Sequence, residues 1–519
     1  MKRRRSMTIS RNSKKGGWVA ACILLSFVFI VTARAAEPKS GGTLVFGTEN
    51  EFAGFDALKT RGFAICDAIA NSAIHERLFE WDENGELLPV LGLSATLSDD
   101  RKVWTITLRK GVSFHDGTPF TADAVVSHWA RLLKPENRFS GRDAIAPILS
   151  VEKADAFTVR FVLAHPWLPF LETLCDGRTL APFIPSPKAV AEDRQNRAPV
   201  GTGPFMFKEW LTGDRFTLAR NPGYWKPGKP HLDGIVFKPM PDHQTRYASL
   251  ESGQTDMIWT DRGGAVEKAE KDKRMVHYIS EGTGAEIFIL NTAKPPLDDP
   301  RVRRALAHAW NQQVCVTLSY QDSIPFVEHP FGVDARCGDV GYRTHDLEKA
   351  RELIAAYGKP VEIECLHSNT KRGREQGELL QQFAKQIGVS VKPVGMSFGP
   401  VVKKVVTGQY QVSTWRIPSY RDQGPSLYSA FHSKSRRNWS GYRSEEMDRL
   451  LLEQNTETDT ARRNALLCEI AGRINEDVPV IYRGGRRFHV LAKQEVKGNF
   501  RFQNGIFVLS DLWLDRQSE

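Results

Sequence analysis

Paired cysteines at CxxC spacing, an HExxH signature and runs of low complexity are all missing from this 519-residue chain. The first two absences remove the usual local patterns of a redox dithiol and a zinc protease. The 13 histidines are scattered, so no metal site with ligand spacing stands out. Acidic residues are missing from positions 1–35, which hold eight Lys or Arg around the apolar run from Trp18 to Val31 and end in Ala33-Arg34-Ala35. That run is about 14 residues long, and at about 1.5 Å per residue it falls short of the roughly 30 Å of hydrocarbon that a span must cross. Residues 1–35 therefore read as a removable secretory signal peptide, and the remainder of the chain is expected to work in the periplasm. Val19-Ala20-Ala21-Cys22 spells a lipoprotein tetrad, but most of the apolar run lies after Cys22. Arg3 to Arg5 suit a basic leader of either export route.

A strong basic excess is also missing once that leader is set aside. The whole chain carries 71 Lys and Arg against 61 Asp and Glu, and residues 36 onward carry 63 against 61. A protein that neutralises many phosphates needs more than this, so nucleic acid is excluded as a partner class. Cysteine is sparse. Six remain, at Cys66, Cys175, Cys315, Cys337, Cys365 and Cys468, and in an oxidising compartment six can pair in 15 ways. The 484 residues after position 35 exceed one ordinary core and imply two or three packed domains.

Strand and helix patterns alternate along the chain. Gly41 to Gly47 reads as a short strand, and Phe63 to Phe79 carries Ile65, Ile69, Ala73, Ile74 and Leu78 at helical spacing. Val103 to Leu108 alternates at period two, turn chemistry comes next at His115-Asp116-Gly117-Thr118-Pro119, and Thr121-Ala122-Asp123-Ala124 is expected to cap a helix to about Leu133. Further strands are expected at 215–218, 234–238, 287–291, 361–366 and 389–393. Helices are expected at 245–252, from Pro300, at 346–357 and at 375–387. The fold class is mixed α/β.

A succession of local patterns narrows this class. Ile74-His75-Glu76-Arg77-Leu78-Phe79, Leu88-Pro89-Val90-Leu91 and Trp104 to Val125 are succeeded by Gly201-Thr202-Gly203-Pro204-Phe205, Asn221-Pro222-Gly223-Tyr224-Trp225, Leu250 to Asp256 and Pro296 to Ala305. In this order, behind a signal segment, the chain resembles the family 5 extracytoplasmic solute-binding proteins, the dipeptide, oligopeptide and nickel receptors of ABC importers. The resemblance implies a two-lobed periplasmic binding protein of the type II-like, Venus-flytrap kind with an extra subdomain in lobe one. Carried onto this chain, lobe one is 36–285 plus 494–519 with a subdomain at about 86–195, and lobe two is 286–493. It further implies a monomer that encloses a peptide or peptide-like solute between its lobes and hands it to an inner-membrane permease and ATPase complex. No cofactor, metal or catalytic residue is expected.

The same resemblance places ligand contacts. Asp422, in the segment Val412 to Asp422, would meet a ligand's amino terminus through a charge-assisted hydrogen bond, although Asp422-Gln423-Gly424-Pro425 replaces the family's Asp-Pro pair. Arg372, within Asn369 to Arg374, would hold the other end bidentately. Trp415, Tyr420 and Trp439 would supply flat walls. Arg416, Arg421, Arg436 and Arg437 crowd the segment around Asp422, which suits an anionic solute such as an acidic peptide, an opine-like or sugar conjugate, or a phosphorylated compound. A nickel chelate or haem remains an alternative by family alone. A secreted hydrolase is the reading from a different class, and its candidate pair, His115-Asp116, already belongs to a turn.

Overall fold

The computed structural model describes residues 37–516 apart from 61–64, 83–84, 178, 334–335, 419 and 504. The expected signal peptide and the start of the helix expected from Phe63 lie outside the described residues. The described residues from position 38 onward form one compact unit. Among the described residues no helix is long and apolar enough to cross a membrane.

Two long antiparallel strands, Met275–Leu290 and Val480–Lys493, lie together inside a ten-stranded sheet. On one side come Met257–Thr260, Thr43–Thr48, Gly234–Pro239, Arg215–Arg220 and Phe205–Leu211; on the other lie Val412–Ile417, Glu362–Ser368 and Ser390–Met396. Parallel pairs occur at 43–48 with 234–239 and at 362–368 with 390–396, and the remainder mix in antiparallel partners. The long strands are interrupted halfway by a register shift between Gly282 and Ala285. Gly284 has φ +79°, and a Cβ there would stand 2.4 Å from the Ile417 carbonyl oxygen and 2.6 Å from that of Pro418, so a side chain does not fit.

Apolar side chains collect separately on the two sides of this interruption. Val490 and Ala492 pack with Leu44, Phe46, Phe216 and Phe237, whereas Ala285, Ile287, Val480 and Tyr482 pack with helices of the 300–480 region. A third core, around Trp129, Phe161 and Phe170, belongs to a four-stranded antiparallel sheet of Gly92–Leu97, Val103–Leu108, Ile148–Asp155 and Thr158–Leu163. The helix Ala122–Leu133 packs on that sheet, with Asp123 in its first turn and Arg131 in its last, as the helix dipole favours. Thr121 stands at its N-cap position but makes no side-chain cap bond, contrary to the expectation from sequence.

The segments that carry the resemblance are tied to one another. Glu76 accepts from Thr202 Oγ1 at 2.9 Å, Tyr224 OH at 2.8 Å and Trp225 Nε1 at 2.8 Å. Burial raises its carboxyl above the ordinary range, while Lys226 and the three donors oppose that rise. A Cβ on Gly203 would lie 2.6 Å from the Ile74 carbonyl, so the two glycines of the Gly201–Phe205 run allow backbone to pass against backbone. These hydrogen bonds end the helix at Ile74, and Phe79–Trp81 is strand, where a helix reaching Phe79 is expected from the spacing of apolar residues. Only one cysteine pair forms among the described residues, Cys337–Cys468; Cys66, Cys175, Cys315 and Cys365 are free and buried.

Candidate functional site

The strand Val412–Ile417 pairs with the second half of Met275–Leu290, setting Arg416 opposite Glu286 and Trp415 opposite Ile287. The loop after it docks on the glycine interruption. Thr283 Oγ1 donates to the Tyr420 carbonyl, and Gln423 Nε2 donates to Thr283 Oγ1 at 2.6 Å and to the Pro418 carbonyl at 3.0 Å. The segment is thus held on the kink, where the 43–260 half of the sheet meets the 285–482 half.

Arginines dominate this place. Arg483 is fully buried and donates to Glu286 Oε2 at 3.2 Å and the Trp415 carbonyl at 2.9 Å, and Arg486 donates to Glu286 Oε1. Arg372 pairs with Asp261, and its guanidinium carbon lies 5.5 Å from the Tyr320 ring centre. The Arg416 side chain makes no hydrogen bond or ion pair among the described residues, although Glu286 stands opposite it in the strand pair. Its side chain is exposed, yet protein surrounds it closely enough that desolvation, with help from Arg486, pulls its guanidinium below the usual value. Glu49, after the first strand, acts on both Arg372 and Arg416 and has no ion pair of its own among the described residues.

Of the aromatic residues expected as walls, Trp415 and Trp439 meet at 5.3 Å with rings at 90°, both partly buried, and Arg437 lies over Trp439 at 5.8 Å. Tyr420 is half-buried in the docked loop. Two expectations need correction. Asp422 is not a free carboxylate, because Arg463 donates to both of its oxygens at 2.7 and 2.9 Å and Gly424 N donates at 2.8 Å. Arg372 is not a free guanidinium either, since Asp261 already engages it. Arg436 contributes its backbone N–H, 3.2 Å from Asp143, alongside Ser435 Oγ at 3.0 Å.

Sequence reading passes over Glu49, Glu286, Arg483, Arg486, Trp81 and Glu172. A signal for the arginines exists, because Tyr482-Arg483-Gly484-Gly485-Arg486-Arg487 puts charges inside a strand that is otherwise apolar. Glu172 and Trp81 meet Arg421, which reaches them from the docked loop at 3.2 Å and 4.5 Å.

The His115-Asp116 pair is structural. Asp116 accepts from Thr118 N and from Ser186 Oγ at 2.6 Å, while His115 bonds the Gly203 carbonyl at 2.9 Å. Gly395-Met396-Ser397-Phe398-Gly399 has the G-x-S-x-G spacing of a nucleophile elbow between a strand and the helix Phe398–Val406. No histidine pairs with Ser397 among the described residues, and nearby His367 spends Nδ1 on the Ser368 carbonyl. Among the described residues no group of three or more His, Cys, Asp or Glu could hold a metal ion.

The chain is 27% identical over 468 residues to a glutathione-binding protein, GsiB, of Pectobacterium atrosepticum, covering 86% of this chain and 88% of that one. Its fold is that of the Helicobacter pylori periplasmic binding protein DppA in complex with the peptide STSA, at a TM-score of 0.82 and 25% identity over 92% of this chain and 99% of the other. The agropinic-acid complex of AgaA from A. tumefaciens superposes at 0.81 with 24% identity over 92% and 99%. These neighbours are two-lobed periplasmic binding proteins. The model of the bacterial extracellular solute-binding proteins, family 5, matches residues 86–439, and the chain belongs to that family.

Proposed function

We propose that this protein is a periplasmic receptor for a peptide or peptide-like solute carrying an excess of carboxylates, which it delivers to the permease and ATPase complex of an ABC importer. The single observation behind the anionic preference is Arg416, whose guanidinium makes no hydrogen bond or ion pair among the described residues and lies near enough to Arg486 to feel its charge, opposite Glu286 in the strand pair. A carboxylate arriving there gains charge-assisted hydrogen bonds that no described residue of the chain supplies. Glu49 and Glu286 give the same place opposing charge, which suits a zwitterion. The relatives' names support the peptide class, since GsiB is a glutathione-binding protein and DppA is bound to STSA.

In this reading the lobes are 36–285 plus 494–519 and 286–493, with the subdomain near 86–195, and the protein acts as a monomer after loss of residues 1–35. Trp415, Tyr420 and Trp439 flank the solute. Arg372 and Asp422 act from behind, each held by its own partner. Closure results from a ligand touching both halves, because differential affinity is what shifts the equilibrium.

Arg416→Ala tests this. Isothermal titration with acidic tripeptides is expected to show affinity falling about 10- to 100-fold, the worth of a charge-assisted bond, together with a weaker salt dependence. Unchanged affinity and unchanged salt dependence contradict the anionic assignment.

A further inference from the structure

His277 and His489 stand on the two long strands, in the half of the sheet that holds 43–260. His277 Nε2 lies 2.8 Å from His489 Nδ1, with ring centres 5.1 Å apart and planes 19° from parallel, so the rings meet edge to edge. The pair has a partner at each end. His489 Nε2 is 2.7 Å from the Ser323 carbonyl, and His277 Nδ1 is 2.9 Å from Glu270 Oε1 on the helix Gly263–Lys271. Both imidazoles are nearly closed to solvent, whereas Glu270 is half exposed.

These contacts fix a proton count. A carbonyl and a carboxylate only accept, so a chain of three hydrogen bonds between them needs three protons, and two neutral imidazoles bring two. Ser323 requires a proton on His489 Nε2, which leaves His489 Nδ1 to accept from His277 Nε2. Glu270 then requires a second proton on His277, at Nδ1. Burial pulls His489 down to about 4 against its bond to Ser323, and the charges of His277 and Arg487 add to that fall, opposed by Glu270. The extra proton therefore sits on His277, beside the carboxylate. Other charges nearby are engaged elsewhere: Arg487 meets Glu281 at 2.6 Å, Lys271 meets Glu267 at 2.5 Å, and Asp322 accepts from Thr317 Oγ1 at 2.9 Å. The strand Met257–Thr260, paired with His489 and its neighbours, brings no charge.

We propose that Glu270, His277 and His489 form a proton-binding site, which holds one proton beyond the two of a neutral histidine pair and with it ties the helix Gly263–Lys271 to the crossing strands. That helix matters to the junction because its start docks on the other half. Gly264 N donates to Gln321 Oε1 at 3.0 Å, and a Cβ on Gly263 would collide with the Gln321 carbonyl. The proton closes a ring of contacts that runs from Gln321 along the helix to Glu270, through both histidines and back to Ser323. A histidine of the unfolded chain takes up its proton near about pH 6.5. The tie is thus complete below about pH 6.5 and is lost as the pH rises, when Glu270, the exposed member, turns to water.

The test joins imidazole 15N spectra to amide hydrogen exchange of the folded secreted chain, with the helix Ala122–Leu133 as internal reference. At about pH 6, wild type is expected to show both His277 nitrogens protonated and His489 as the neutral Nε2–H form. Relative to the reference, amides of 263–271 are expected to be about fivefold better protected at about pH 6 than at about pH 9, the worth of one charge-assisted bond. Glu270→Gln gives the sharper arm, because a carboxamide N–H donates to a bare Nδ1 and all three bonds then form with neutral histidines. In that variant His277 is expected to carry a single proton at about pH 6, and protection of 263–271 is expected to stay within about twofold across the range. A neutral His277 in wild type at about pH 6 overturns the proposal, and so does a Glu270→Gln variant that keeps the wild-type pH response.

Discussion

Glu76 and Glu172 show how two buried carboxylates acquire different tasks. Glu76 receives three hydrogen bonds from segments 126 to 149 residues away, so it binds the scaffold together. Glu76→Ala leaves Thr202, Tyr224 and Trp225 unpaired and is expected to cost about 3 kcal/mol in urea unfolding. Glu172 meets Arg421 and Trp81 across the junction of the two halves of the sheet. With its carboxyl pushed up to about 7, a fraction of the protein holds that proton at pH 6.5. A carboxyl raised in the folded state holds its proton more tightly there than in the unfolded chain, so its contribution makes stability rise as pH falls from 8 to 6. Urea unfolding across that range reads the rise, and Glu172→Gln should remove this contribution. An unchanged pH profile in the variant would count against it. Neither role is legible from the residues alone. Glu76 stands in a pattern that announces the family and says nothing of what it bonds, and Glu172 is more than 240 residues from the arginine it meets.

At the scale of elements, short alternating strands are legible and long ones are not. Val103–Leu108 is read at its observed bounds, because one face packs and the other does not. Met275–Leu290 is recognised only from residue 287, since bulge glycines break the pattern midway and its second half is buried on both faces. Val480–Lys493 escapes for the same reasons, with Gly484 and Gly485 at its interruption. Yet this kink sets the site. Gly284→Ala puts a methyl at φ +79° against two carbonyl oxygens and is expected to cost about 2 kcal/mol or more. It should also displace the loop bearing Tyr420 and Arg421, so that solute affinity falls along with the urea midpoint. Retained affinity at lowered stability would mean that the loop keeps its place without the kink.

Across the whole molecule, family and fold are legible because their signals are local: turns, caps and close glycine contacts fixed by neighbouring residues. The proposed site is not, because it draws on residues near 49, 286, 416 and 486, each ordinary in its own stretch. Trp415 is singled out by resemblance and Arg416 by the crowding of arginines around Asp422, while the partners that neutralise Asp422 and Arg372 appear only in three dimensions. The disulfide is a further case, since six cysteines leave its pairing open and the fold joins Cys337 to Cys468 across 131 residues. Replacing both by serine is expected to destabilise by about 2–5 kcal/mol in denaturant unfolding, chiefly through a freer unfolded chain. If stability is unchanged, the bond does not form in the secreted protein.

Capture of an anionic peptide-like solute by the arginines around Arg416 is the central claim. The most direct measurement is native mass spectrometry of the protein taken from its source cells, with denaturation and identification of the released molecule. Recovery of acidic peptides or peptide conjugates is the predicted result. Recovery of only neutral or cationic solutes would contradict it.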